Sequence, residues 1–145
     1  MAHPRCCYRW IVDTDSARSR VRAGALLTDV VIVVGFVLLG RHNHHESSAF
    51  GATAAVAAPF LIGLAIGWLL GSTRWAPTTI AFGVVVWLST VGLGIVLRST
   101  VFGRSSAGAF VGVATAFLGV TLVGWRLAAF VIERRRSGFA SGRSD

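Results

Sequence analysis

Charged residues are scarce in this sequence, and acidic ones are the scarcest. Only 14% of the 145 residues are charged, six of them acidic, and lysine is absent, so all fourteen basic residues are arginines. A soluble domain of this length needs a far larger share of polar residues to cover its surface. The composition therefore excludes an ordinary soluble domain. A hydrophobic content of 54% and a mean hydropathy of +0.68 indicate a protein that has the lipid bilayer as its solvent.

Cysteine and recognisable catalytic motifs are equally sparse. The two cysteines, Cys6 and Cys7, are adjacent, and sequence neighbours rarely bridge to each other, so no disulfide framework is expected. The sequence has no phosphate-binding loop, nucleophile elbow, paired-carboxylate site or cysteine metal site. We therefore predict that the protein is not an enzyme and has neither a cofactor nor a metal centre.

Four long apolar segments make up most of the chain. Each approaches the ~20 residues that a helix needs to cross ~30 Å of hydrocarbon, where the backbone must satisfy its own hydrogen bonds. We predict an all-α fold, an integral membrane bundle of four transmembrane helices. The segments cover residues 24–40, 50–70, 77–97 and 107–132.

The segments form one predicted transmembrane domain over residues 23–132, between two basic ends. A basic arm, residues 1–22, precedes it, and a basic, Ser- and Gly-rich tail, residues 133–145, follows. The arm and the first apolar segment are both longer than in a usual signal peptide, so we expect a retained helix. The tail from Ser137 onward is expected to be disordered.

The arginines predict the orientation of the bundle. With both termini in the cytoplasm, ten arginines outside the apolar segments lie on the cytoplasmic side and three on the outer side. This bias predicts cytoplasmic N- and C-termini in a bacterial plasma (inner) membrane. Because the arginines cluster at segment ends, they indicate lipid contacts and topology signals, and no nucleic-acid partner is expected. Abundant Ala, Gly and Val without lysine is typical of a GC-rich genome and suggests an actinobacterial origin.

Two charged residues fall inside the apolar segments. Asp29 lies in the first segment and Arg126 in the fourth, each roughly 8–9 Å from the predicted cytoplasmic end of its helix at about 1.5 Å per residue. Since the two helices run in opposite directions, the side chains are level. We therefore predict an Asp29–Arg126 ion pair inside the bundle.

Three roles for these two residues remain open. The pair either locks the first helix to the fourth, or Asp29 exchanges a proton or cation while Arg126 acts as its counter-ion. In the third alternative, each side chain extends separately to the cytoplasmic interface.

The loop after the first segment is rich in groups that bind metals and protons. Imidazoles and a carboxylate together can bind Zn²⁺, Cu²⁺ or Ni²⁺, and histidine titrates near neutral pH. The spacing matches no recognised metal site, so an ordinary polar turn is favoured over a metal site or a pH sensor. The loop contains Arg41, His42, His44, His45 and Glu46.

Two further arginines, Arg98 and Arg104, flank the second outer loop. Together with Arg41 they would form a basic outer vestibule that attracts anions. The alternative is that they anchor helix ends at the membrane interface.

Small residues recur at helical spacing in the last three segments. Gly63, Gly67 and Gly71 are four residues apart, which predicts close packing of the second helix against another helix. Pro59, on the same row, predicts either a tolerated kink or a hinge. A stripe on the fourth segment places Arg126 toward protein rather than lipid, and the third segment has a comparable stripe. The stripes are Gly108, Gly112, Thr115, Gly119, Leu122 and Arg126, and Gly83, Trp87, Thr90, Gly94 and Arg98.

Four short motifs resemble the prokaryotic membrane-protein family catalogued as domain of unknown function 3054 (DUF3054). The resemblance covers about residues 22–130. It implies a four-helix membrane protein without an established activity, and it adds weight to Asp29, Arg41 and Arg126. The motifs are Thr28-Asp29, Gly40-Arg41 with the following His/Glu loop, Pro59-Phe60 to Gly67-Trp68, and Trp125-Arg126.

Two functional hypotheses follow. The first is a small, oligomeric ion or solute transporter or channel in which Asp29 is the coupling group. The second is a non-transporting accessory subunit that packs against a larger membrane protein through the face formed by Gly63, Gly67 and Gly71.

Overall fold

The computed structural model describes the backbone of residues 5–42, 50–100 and 108–141, and the side chains of residues 16–40, 53–100 and 108–136. Over these ranges the regular structure is entirely helical. This confirms the predicted all-α fold. The four helices are α1 (Arg5–His42), α2 (Phe50–Ser72), α3 (Ile80–Thr100) and α4 (Gly108–Ser141).

Each helix contains a stretch that is long and apolar enough to cross a membrane. Large apolar side chains face outward along these stretches, among them Val31, Leu69 and Val120, which are 68%, 69% and 74% exposed. Such a surface is stable in lipid and not in water. The chain is therefore a multi-pass membrane protein. The stretches are Ser16–Gly40, Thr53–Ser72, Ile80–Thr100 and Gly108–Arg136.

Two helices extend well beyond their apolar segments. The first begins at Arg5, so most of the basic arm continues the helix. The last runs to Ser141, and the prediction that disorder begins at Ser137 is therefore wrong. The extension of α1 contains Ala and Arg, and that of α4 contains Glu and Arg. These are good helix formers, which sustain the backbone hydrogen bonds after the chain leaves the hydrocarbon.

The third helix begins later than its apolar segment. The segment starts at Pro77, but α3 begins at Ile80. The Thr79 side-chain oxygen accepts a hydrogen bond from the Phe82 amide at 3.3 Å, and the Thr79 carbonyl accepts one from the Gly83 amide at 3.1 Å. Thr79 is thus the N-cap of α3. Pro77 therefore lies in the turn between α2 and α3, where its carbonyl is outside the helical hydrogen-bond ladder.

The predicted glycine row packs against α3 of the same chain. A Cβ atom at Gly63 would lie 2.7 Å from the Ser89 carbonyl oxygen, and one at Gly67 would lie 2.9 Å from the Val86 Cα. Only glycine permits this backbone approach. The close-packing prediction is confirmed, but the idea that this row binds a larger partner is wrong because α3 already covers it.

The half of the bundle away from the predicted cytoplasmic side is filled by aromatic rings. Phe36 of α1 lies 5.9 Å from Phe60 of α2 and 5.6 Å from Phe117 of α4, measured between ring centroids. Gly94 of α3 provides the space for Phe60, since a Cβ there would lie 2.5 Å from the Phe60 Cδ1. These rings close the core between all four helices.

The small-residue stripe on α4 is only partly correct. Gly108 and Gly112 are exposed, with nothing within 4 Å of a Cβ at either position. The buried row instead recurs every four residues, because helix contacts tend to follow i±4 ridges. Its members are Ala114, Leu118, Leu122 and Arg126.

Candidate functional site

Asp29 and Arg126 form a two-pronged salt bridge inside the bundle. The guanidinium donates from Nη1 to Oδ1 at 3.0 Å and from Nη2 to Oδ2 at 2.7 Å. Both side chains are 0% exposed. The predicted ion pair between α1 and α4 is therefore present. Its geometry is the parallel fork that makes arginine–carboxylate pairs strong and directional.

Two tryptophans complete the coordination of the carboxylate. The indole N–H of Trp68 donates to Oδ2 of Asp29 at 2.9 Å, and that of Trp125 donates to Oδ1 at 3.0 Å. Each carboxylate oxygen thus accepts two hydrogen bonds. Because an ionised carboxylate only accepts, this set of donors suits the charged form.

The guanidinium is held by backbone carbonyls as well as by Asp29. Its Nε donates to the Pro77 carbonyl at 2.8 Å, and its Nη1 donates to the Leu122 carbonyl at 2.7 Å. Its central carbon lies 4.4 Å from the Trp125 ring and 5.3 Å from the Phe82 ring, within cation–π range. The bond to Pro77 exists because that carbonyl lies in the turn and not in α3.

The cluster joins every helix of the bundle. Asp29 comes from α1, Trp68 from α2, and Trp125 and Arg126 from α4, while Phe82 comes from α3. We use the term ion-pair cluster for these five residues. Their arrangement can fix the four helices in one register, and it can also hold a carboxylate ready to exchange partners.

Sequence reasoning found the charges and missed the indoles. From the sequence, neither Trp68 nor Trp125 was assigned a hydrogen-bond partner. A signal was available, because a tryptophan deep in a membrane needs an acceptor for its N–H. Asp29 is an acceptor at the matching depth of the bundle.

An open groove lies beside the ion-pair cluster. It has a volume of about 590 Å³ and runs between the early part of α1 and the α2–α3 turn. Arg18, Arg22 and Arg74 line it together with Trp75 and Pro77. Pro77 connects the groove to the ion-pair cluster, because it lines the groove and its carbonyl accepts the bond from Arg126.

The outer polar residues are described only in part. Arg98 on α3 is half-buried, and its guanidinium carbon lies 4.8 Å from the centroid of the Phe110 ring on α4. Arg41 and His42 belong to the last turn of α1, but their side chains lie outside the described residues. The basic vestibule and the histidine loop remain predictions. His44, His45, Glu46 and Arg104 lie outside the described residues altogether.

Within the side chains that are described, no group of three or more His, Cys, Asp or Glu residues is placed to hold a metal ion. Pro59 is fully buried inside a continuous α2. The choice between a tolerated kink and a hinge at Pro59 stays open.

Comparison with known families places the chain in one of them. A family described as "Protein of unknown function (DUF3054)" matches residues 26–129, which is most of the chain and includes the whole ion-pair cluster. No curated protein and no solved structure matches the chain.

Proposed function

Because this chain belongs to the DUF3054 family, whose description assigns no function, we propose a role from the geometry of the ion-pair cluster. The proposal is a small ion or solute transporter of the bacterial plasma membrane, with Asp29 as the coupling group and Arg126 as its counter-ion. The observation that carries it is a fully buried Asp29–Arg126 pair one residue away from an open groove.

The energetic argument favours a functional role over a purely stabilising one. Removing two charges from water costs several kcal/mol per ion, and apolar replacements for a buried pair are often neutral or stabilising. Leucine–leucine contacts would join α1 to α4 at no such cost. Ionisable residues inside membrane helices accordingly mark ion pathways and proton relays.

The surroundings of the pair differ on its two sides. Toward the groove, the guanidinium donates to the carbonyl of Pro77, a residue that also lines the groove. Toward the opposite side, the phenylalanine rings around Phe36 and Phe60 fill the core. This asymmetry supports a conformation that is open toward the predicted cytoplasm and closed toward the outside.

In the proposed cycle, movement of the α2–α3 turn breaks the bond between Arg126 and Pro77. Arg126 then moves away from Asp29, and the carboxylate accepts a proton or a cation from the groove. The carboxylate must release that proton or cation before the salt bridge forms again. Occupancy of Asp29 is thereby coupled to the conformation of the turn.

A second candidate is a non-transporting accessory component of a larger membrane complex. It is favoured by the complete coordination of the carboxylate, in which Arg126 and two indoles supply four hydrogen bonds. A cluster whose only task is to fix the helices would look the same. In that case, any partner would contact the lipid-facing side of the bundle.

A paired substitution separates the two candidates. Asp29→Asn alone is a poor test, because it strands a buried arginine and destabilises the protein under either function. The double variant Asp29→Leu/Arg126→Met removes both charges, and it leaves only the neutral indole N–H groups of Trp68 and Trp125 without their acceptor. Proton flux into proteoliposomes that contain a pH-sensitive dye, under an imposed pH gradient, is then compared with that of the wild type.

For a transporter, we expect the wild type to carry flux and the folded double variant to lose it. The matched control is Thr28→Val, a substitution at an exposed α1 residue that bonds only to its own helix, and it should keep the flux. Equal flux in wild type and double variant, or none above protein-free vesicles, would favour the accessory role. Purification in mild detergent then shows whether the protein forms a homo-oligomer or brings along a foreign partner.

A further inference from the structure

Positive charge collects in the groove beside Pro77. Arg18 and Arg22 lie one turn apart on α1, so they share a face, and Arg74 lies opposite them on the α2–α3 turn. All three are exposed to the groove. Among the described residues that line the groove, none is acidic.

Among the described side chains, the two carboxylates do not neutralise these arginines. Asp29 is fully engaged by Arg126 and the two indoles. Glu133, on the extension of α4, does not line the groove. Three guanidinium groups around one space repel one another, and an anion between them would replace that repulsion with attraction.

The groove also contains neutral donors. Thr78 and Trp75 line it, and within the described part of the chain neither the hydroxyl nor the indole makes a hydrogen bond. By contrast, the hydroxyls of Ser72 and Thr73 donate to carbonyls of α2 at 3.0 and 2.8 Å. Thr78 and Trp75 therefore have protons to offer a ligand that consists of acceptor oxygens.

We propose that this groove is a binding site for a phosphate group, carried either by the headgroup of an anionic phospholipid or by free phosphate. Guanidinium groups bind phosphate oxygens through paired hydrogen bonds. The site borders the apolar stretch of α2 that ends at Ser72, at the level where headgroups meet the hydrocarbon. Trp75, which is 39% exposed, has the residue type enriched at that interface. The proposal does not depend on transport.

The test uses the full-length protein in a maltoside detergent, which contains no phosphate. Phosphatidylglycerol, phosphatidylcholine and inorganic phosphate are each titrated, and binding is measured by native mass spectrometry. The test variant is Arg18→Gln/Arg22→Gln/Arg74→Gln. The matched control, Arg20→Gln/Arg135→Gln/Arg136→Gln, removes the same charge from exposed arginines that do not line the groove. Circular dichroism verifies that both variants are folded.

We expect the wild type to bind phosphatidylglycerol more tightly than phosphatidylcholine, the test variant to lose at least about tenfold in affinity, and the control to stay within about twofold. Binding of inorganic phosphate with the same dependence on the three arginines would identify free phosphate as a sufficient ligand. Binding of the lipid alone would identify the headgroup. Equal losses in both variants would indicate general charge attraction and overturn the proposal, as would unchanged binding in the test variant or no binding at all.

Discussion

Gly83 of α3 lies directly against the side chain of Arg126. A Cβ atom at Gly83 would be 2.6 Å from the Cδ of Arg126 and 3.4 Å from both its Nε and the Leu122 carbonyl oxygen. The arginine stem passes through the space that a side chain would fill. A glycine on one helix therefore determines whether a charged residue on another can reach Asp29.

We expect Gly83→Ala to destabilise the protein, because Arg126 is held by Asp29 and two backbone carbonyls and cannot shift freely. Overpacking of this kind costs about 1–3 kcal/mol. Thermal unfolding in detergent measures the loss. The control is Gly92→Ala on the same helix, where nothing lies within 4 Å of the added Cβ. Gly92→Ala should be neutral or slightly stabilising, and a similar loss in both variants would show that the contact is unimportant.

The two charges of the pair should be strongly coupled. Asp29→Asn or Arg126→Gln alone leaves one buried partner uncompensated and should cost about 3–5 kcal/mol of unfolding free energy. The combined variant should cost clearly less than the sum of the two single changes. A double-mutant cycle on thermal or denaturant unfolding measures the coupling. Additive losses would mean that the salt bridge contributes little.

Trp68→Phe should remove one hydrogen bond from Asp29 while keeping an aromatic ring next to Phe82, whose centroid lies 4.9 Å from that of Trp68. Hydrogen bonds to charged groups contribute about 1.5–3 kcal/mol, so the unfolding midpoint should fall measurably. Trp75→Phe is the control, since Trp75 is exposed and does not contact the carboxylate. If both variants unfold at the wild-type temperature, the indole bond has no energetic role.

The predicted orientation can be tested with the native thiols. The chain has two cysteines, Cys6 and Cys7, both at the start of α1. A membrane-impermeant maleimide should label them in inverted membrane vesicles and leave intact cells unlabelled. Ser99→Cys in a background with both native cysteines changed to serine should give the opposite pattern, because Ser99 is exposed near the far end of α3. Labelling of Cys6 and Cys7 in intact cells would place the N-terminus outside.

The pairing of Asp29 with Arg126 could be predicted because both residues lie in long helices with a fixed rise of about 1.5 Å per residue. It needed no knowledge of side-chain conformation. The partner of the glycine row could not be found in this way, since the spacing of Gly63, Gly67 and Gly71 predicts a close neighbour without saying which one.

The beginning of α3 shows a different kind of limit. Hydropathy placed the helix start at Pro77, whereas the cap at Thr79 moved it to Ile80. That shift leaves the Pro77 carbonyl free to accept the Nε proton of Arg126. The capping bond at Thr79 therefore determined one contact of the buried site, the bond between Arg126 and Pro77. A hydropathy average does not detect such a capping bond.

By itself the sequence determined that the protein lies in a lipid bilayer, how many helices it has, and that the two buried charges lie at the same depth. These properties follow from composition and from the regular geometry of helices in lipid. Only the tertiary structure decided that Trp68 and Trp125 complete the carboxylate, that α3 covers the glycine row, and that Arg18, Arg22 and Arg74 share a groove. These relationships join residues far apart in the chain. They depend on how the helices rotate and cross, and that is set by side-chain packing across all four of them.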